Sequence, residues 1–196
     1  MRPRPLHATA VAALALTACA ATGGADSDLG RLLAEAPQDV PARLWLDGNT
    51  LAAAAIAVGP GALPPAVRTT LEAVAPRGEL LFQGRERGPR GIGFRIEKRY
   101  REGTAEHLRS ALIADDGAVL ERAHTLAIES APQQVLAAAL RVAPHVDQVW
   151  IVSGSAREEY YRCVTRDRLG HVLVVDLDLT GGVLAVRRRV AAEVTG

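Results

Sequence analysis

The sequence predicts an α+β fold: two tandem repeats, each one helix packed on an antiparallel β-meander, behind a cleaved N-terminal signal segment. Three observations predict it. The motif P-x-x-V-x6-V-A-P occurs twice, from Pro64 to Pro76 and from Pro132 to Pro144. Each copy is followed by four strand-like segments. Asp116-Gly117 and Gly181-Gly182 stand at matching places in the two copies, and such pairs favour two-residue hairpin turns. A repeat of this length is the first thing to look for in a chain, because it decides how the fold is divided.

The N-terminus comes first. Arg2 and Arg4 precede a short apolar run from Ala8 to Leu16, and small residues follow before Cys19. Charged start, short apolar middle and small cleavage-site residues make a secretory signal peptide over residues 1–18. The run is too short to span a bilayer, which takes about 20 apolar residues. Leu16-Thr17-Ala18-Cys19 resembles the lipobox of bacterial lipoproteins. That resemblance implies cleavage before Cys19, lipidation of its sulfur and acylation of the new amine. Stable anchoring needs more than one acyl chain, and a triacylated cysteine supplies it. Residues 19–28 read as the lipidated cysteine and a flexible, small-residue tether. Ala20 follows the cysteine where an Asp favours inner-membrane retention. The resemblance therefore implies a cell-envelope location, at the outer membrane and facing the periplasm in a Gram-negative organism.

Residues 29–53 form a lead-in segment. Leu29, Leu32 and Leu33 share a helical face, Ala42 to Leu46 read as a strand, and Asp47-Gly48-Asn49 as a turn. Residues 54–124 are the first unit and 125–196 the second. In each unit a short apolar strand, Ala54 to Val58 or Thr125 to Ile128, precedes the helix. Proline suits the first helical turn, where no backbone donor is lost, and a later proline stops the helix. Val67, Leu71 and Val74 repeat at i, i+4 and i+7, as do Val135, Ala139 and Val142, so each helix has one apolar face. The strands expected after the first helix are residues 79–83, 92–100, 107–114 and 119–123. Those after the second are 146–152, 160–165, 171–178 and 183–188. A Gly-, Pro- and Arg-rich stretch, Gly84 to Gly91, reads as an insert in the first unit.

This order of helix, V-A-P stop, aromatic-bearing strand, turn and Val-Leu strand resembles the PepSY-like domains, also described as beta-lactamase-inhibitor-protein-like. The resemblance runs from about Ala54 to Val190. The sequence departs from the pattern in the Gly84–Gly91 stretch and in Thr180, which stands where an acidic residue is usual before the turn. The resemblance implies a non-catalytic domain that binds or restrains other envelope proteins, proteases among them. It carries over no catalytic residue.

Composition narrows the function further. Hydrophobic residues make up 48% of the chain and charged residues 23%, as in an ordinary globular protein. A net charge of +1 offers no strong pull on nucleic acid. With Cys19 lipidated, Cys163 is the one cysteine left, so no disulfide forms within the chain, and its strand-like surroundings suggest a buried thiol. His107 and His171 hold equivalent positions in the two units, but no spacing typical of a zinc site is present, and no cofactor is expected. Asp115-Asp116-Gly117 lacks the further oxygen ligands of a calcium loop. Ser153-Gly154-Ser155 is not the G-x-S-x-G elbow of a hydrolase. The arginines of 85–90 and 187–189 read as solvated charges or as a patch for an acidic partner. Phe94, Tyr100, Trp150, Tyr160 and Tyr161 are the candidate partner-binding surface, since Tyr and Trp are enriched at interfaces. The resulting expectation is a lipid-anchored, non-enzymatic envelope binding module with a protein client. A structural lipoprotein without a client is the alternative, and a small-ligand carrier or enzyme ranks below both. A deep pocket lined by His107, His171 or Cys163 is the feature that would revive the ligand carrier or enzyme.

Overall fold

The computed structural model describes residues 31–32, 35–37, 39–74, 76–103, 105–155 and 157–194. The signal peptide, Cys19 and the tether lie outside the described residues. Ten strands and two helices are complete among the described residues. The strands are β1 (Val40–Asp47), β2 (Thr50–Ala57), β3 (Glu79–Gly88), β4 (Gly91–Glu102), β5 (Ala105–Ile113), β6 (Val119–Leu126), β7 (His145–Gly154), β8 (Arg157–Arg166), β9 (Val172–Leu177) and β10 (Val183–Val194). Helix α1 (Pro65–Val74) joins β2 to β3, and α2 (Gln133–Val142) joins β6 to β7.

All ten strands form one closed antiparallel barrel. This overturns the expected fold class and, with it, the PepSY-like resemblance. Each helix is followed by four antiparallel strands, but neither set forms a sheet of its own. β6 hydrogen-bonds β7 from Glu121↔Gly154 to Leu126↔Val149, so the two sets are continuous. β1 pairs with β10 from Val40↔Val194 to Leu46↔Arg188, which closes the ring. Closure removes every edge strand, and an unpaired edge is what two separate meanders would each have had to protect. The lead-in segment therefore supplies a wall of the barrel, β1 and the first half of β2, rather than an appendage.

Two local expectations also change. Gly84 to Gly91 is not an insert: Gly84–Gly88 is the end of β3, and Pro89-Arg90 is the tip of the β3–β4 hairpin. Residues expected as two strands, 119–123 and 125–128, form the single strand β6, and Ile128–Ser130 is a 3₁₀ turn. The glycine hairpins are three-residue loops rather than two-residue turns. Ala114 N–H donates to Ala118 O at 2.8 Å, and Asp178 N–H donates to Gly182 O at 2.9 Å. The third loop residue, Gly117 or Gly181, is left-handed at φ 90° and 87°. That is the glycine position of a three-residue hairpin with a bulge.

Alternation gives every strand an outer and an inner face. The outer face is apolar where the helices lie. Val67 and Leu71 of α1 pack on Phe94, Ile96, Ala111 and Ile113 of β4 and β5. Val135, Ala138 and Ala139 of α2 pack on Val149, Cys163, Val175 and Leu177 of β7, β8 and β9. Leu32 packs with Leu44, Ala54 and Ala192, over β1, β2 and β10. Each helix is pinned to a hairpin: Thr70 Oγ1 donates to Gly117 O at 2.9 Å, and Gln134 Nε2 donates to Leu179 O at 3.4 Å. The inner face is mixed. Ala123, Trp150, Val152, Tyr160 and Val164 form one apolar cluster there, and arginines and carboxylates fill the rest.

Candidate functional site

The register places the charged residues inside. Arg95 lies across β4–β5 from Leu112, Glu121 lies opposite Gly154, and Arg162 lies between Trp150 and Asp176. Arg187 faces Val174, and Arg189 faces both Val172 and Trp45. All of these share the lumen side of their strands.

They build one chain of ion pairs across the lumen. Arg95 grips Glu86 with two parallel hydrogen bonds of 2.8 Å, and its Nη1 donates to Glu121 Oε1 at 2.7 Å. Arg162 Nη1 reaches the same Glu121 oxygen at 3.1 Å, and its Nε donates to Asp176 Oδ1 at 2.8 Å. Arg187 Nη1 donates to Asp176 Oδ2 at 3.2 Å. Tyr160 OH donates to Glu121 Oε2 at 3.1 Å and accepts from Arg162 Nη2 at 2.7 Å. Arg90, from the β3–β4 hairpin tip, lies over the Tyr160 ring at 4.9 Å, with Nε 3.6 Å from Glu121 Oε2. Beside this chain, Arg43 Nη1 pairs with Glu97 Oε2 at 2.7 Å and stacks over Phe82.

The electrostatics follow from burial. Loss of water pushes the Glu121 carboxyl up, but the charges of Arg95 and Arg162 outweigh it and hold the group well below the usual carboxylate range. Burial, opposed by the Arg162 charge, raises the Tyr160 phenol above its ordinary value. Tyr160 therefore remains a neutral donor. Burial lowers the affinity of Arg95 for its proton, and Glu86 and Glu121 more than restore it.

One guanidinium stands apart. Six arginines meet four carboxylates in this part of the lumen. Among the described residues, Arg189 has no hydrogen bond or ion pair, although it is partly buried. Burial, and then repulsion from Arg43 and Arg166, lower its hold on its proton, and Glu97 and Asp147 only partly oppose this. Arg189 and Arg187 border a cavity of about 90 Å³. Trp45, Trp150, Ala123, Val164 and Val174 supply its apolar wall, and Pro89 and Arg90 lie at the hairpin side.

The five aromatic residues of the expected partner surface do not share a face. Trp150 and Tyr160 point into the lumen and are 8% and 2% exposed. Phe94 and Tyr100 lie under α1, and Tyr161 packs beside the α2 cluster. The 187–189 arginines split: Arg187 and Arg189 line the cavity, while Arg188, across from Leu46 and Leu173, is exposed on the outer face. Arg85 pairs with Asp115 and lies over Phe94 on the outside. Cys163 is buried beneath α2, where burial pushes its thiol up to about 11. His171 Nδ1 lies 2.8 Å from Asp167 Oδ2 at the β8–β9 turn. His107 is the third residue of β5, three strands from β8 around the barrel. Among the described residues, no group of three or more His, Cys, Asp and Glu could hold a metal ion. The sequence reading missed Arg95, Glu121 and Asp176 as site residues, and placed Arg189 only within a solvated or partner-facing arginine group. The available signal was charge at alternate positions in strands whose other face is apolar, as in Arg95-Ile96-Glu97 and Val175-Asp176-Leu177.

No protein-family model matches the chain, and no curated protein matches it. Among solved structures, the chain is similar to one from Bacteroides eggerthii DSM 20697, a protein to which a periplasmic location is ascribed. The TM-score is 0.46 at 11% identity, over 64% of this chain and 88% of that one. A likeness at that level fixes neither family nor function.

Proposed function

We propose that this chain is an exported binding protein of the cell envelope, held to a membrane through Cys19, whose barrel lumen is a site for a small anionic ligand. It has no catalysis of its own. The observation that carries the ligand reading is Arg189, a charged group on the wall of a cavity with no hydrogen bond or ion pair among the described residues, in a lumen with two arginines more than carboxylates. An arginine does not shed its proton to relieve such a position. An unpaired charge in a low-dielectric site is costly unless an opposite charge joins it. The export and anchor reading rests on the charged start, apolar run and lipobox-like Leu16–Cys19.

The test is to purify the lipidated protein from its own envelope, unfold it and identify released small molecules, with Arg189→Gln in parallel. A near-stoichiometric anion from the unaltered protein, absent from Arg189→Gln, is expected. Equal yields from both proteins would overturn the ligand reading. Labelled palmitate on the chain, lost in Cys19→Ala, checks the anchor.

A second reading, a protein client in the envelope, keeps one observation in its favour. Leu179, Val183 and Leu184 are exposed together around the β9–β10 turn. A specific crosslinked partner, lost when these three are made polar, would favour it over the ligand site.

A further inference from the structure

Resting on the reading of the lumen as a ligand site, we infer that the ligand is a short-chain carboxylate, its oxygens on Arg189 and Arg187 and its alkyl end against Trp150, Val164 and Val174. Three features point to this class.

The first is charge. Arg189 has no partner among the described residues, and Arg187 spends one Nη1 contact on Asp176 at 3.2 Å. The planar guanidinium fork matches the two oxygens of a carboxylate, and such pairs are charge-assisted and geometrically specific. Arg187 and Arg189 are two apart on β10, so they present to the same side of the strand.

The second is the wall. The other guanidinium groups that line the cavity, Arg90, Arg95 and Arg162, are engaged with Glu86, Glu121 and Asp176, and the wall between these ions is carbon: the indoles of Trp45 and Trp150 and the side chains of Ala123, Val164 and Val174. A tetrahedral oxyanion such as phosphate exposes acceptors in every direction and would leave several facing Trp150 and Val174 unpaired, which is costly. A carboxylate has acceptors at one end and carbon at the other, which suits two guanidinium groups with donors to spare beside indole and isopropyl groups.

The third is size. A cavity of about 150 Å³ admits benzene. One of about 90 Å³ therefore admits a smaller molecule, an acid of about two to four carbons. The Glu86–Arg95–Glu121–Arg162–Asp176 chain occupies the lumen beside it.

Calorimetric titration of the full lipidated protein in detergent tests this, using propionate, its neutral isostere propionamide and inorganic phosphate. Propionate is expected to bind saturably and to raise the Tm, propionamide to bind at least tenfold more weakly, and Arg189→Gln to lose at least tenfold in propionate affinity. The unliganded Arg189→Gln protein is expected to be as stable as the unaltered one or more so, because the substitution removes an unpaired charge that Arg43 repels. That stability readout keeps the test from resting on a variant that fails to fold. Propionate binding equal to propionamide, or unchanged in Arg189→Gln, would overturn the inference. Phosphate binding that depends on Arg189, without propionate binding, would overturn the carboxylate class and leave the lumen site standing. If none of the three binds the folded protein and no anion is recovered from the purified protein, the lumen reading itself fails.

Discussion

Arg95 Nη1 lies 2.7 Å from Glu121 Oε1, joining β4 to β6 across the intervening β5, and the Glu121 side chain is wholly shielded from solvent. The same oxygen is reached by Arg162 from β8. Glu121 is therefore the joint through which strands that share no ladder are tied. Replacing it with Ala leaves two buried guanidinium groups each short of a partner. Removing one member of a buried pair costs about 3–5 kcal/mol. Glu121→Ala should lose stability on that scale in urea titration, and Glu121→Gln, which keeps the acceptor oxygen, should lose less. Equal stability of all three proteins would mean that the barrel holds without this joint.

The same carboxylate should make the protein acid-sensitive. Its ordinary value is 4.5, and in the folded barrel it is held well below that. The unfolded chain therefore binds the proton more readily, and stability rises with pH through this range. The contribution is complete above the unfolded value and is lost as pH falls below about 5 toward the folded value. Tm measured from pH 7 down to pH 3 should drop more steeply in the unaltered protein than in Glu121→Gln. Parallel curves would assign the acid sensitivity to other groups.

Two glycines separate backbone strain from contact. Gly170 and Gly181 are both left-handed, at φ 83° and 87°. A Cβ at Gly170 meets nothing within 4 Å, whereas one at Gly181 would lie 2.8 Å from Gln134 O in α2. Gly170→Ala should cost about 1–2 kcal/mol, the left-handed penalty alone. Gly181→Ala should cost more, because α2 must also move off its hairpin. A ranking in the opposite order, measured by thermal unfolding, would show that α2 yields freely.

Cys163 reports on α2. Its thiol is 0% exposed under the helix, and burial raises its value to about 11. Only thiolate reacts with an aromatic disulfide reagent. In Cys19→Ala, which leaves Cys163 as the one cysteine, labelling at pH 8 should be slow in the folded protein and complete in urea. Rapid labelling without denaturant would show that α2 opens readily from β7, β8 and β9.

What was legible in the sequence was local. The two helices lie where P-x-x-V-x6-V-A-P marks them, because proline geometry and a one-sided apolar face act within ten residues. Most strand segments were visible for the same reason, and were read too short where the apolar alternation stops before the strand does, as in Gly84–Gly88. Trp150 and Tyr160 were read as surface candidates, since alternation shows that a strand has two faces but not which one is outside. In an open meander the polar face is wet. In this barrel both faces of Arg95-Ile96 are enclosed, one by α1 and the other by the lumen.

By itself the sequence determined the two helices and the hairpins punctuated by glycine. Each depends on residues that are neighbours in the chain. The tertiary structure alone decided that β1 meets β10 and β6 meets β7, that the arginines and carboxylates face inward, and that Arg189 is left over. Those outcomes turn on closing a ring of ten strands, whose deciding contacts join residues about 150 positions apart, as Val40 and Val194 show.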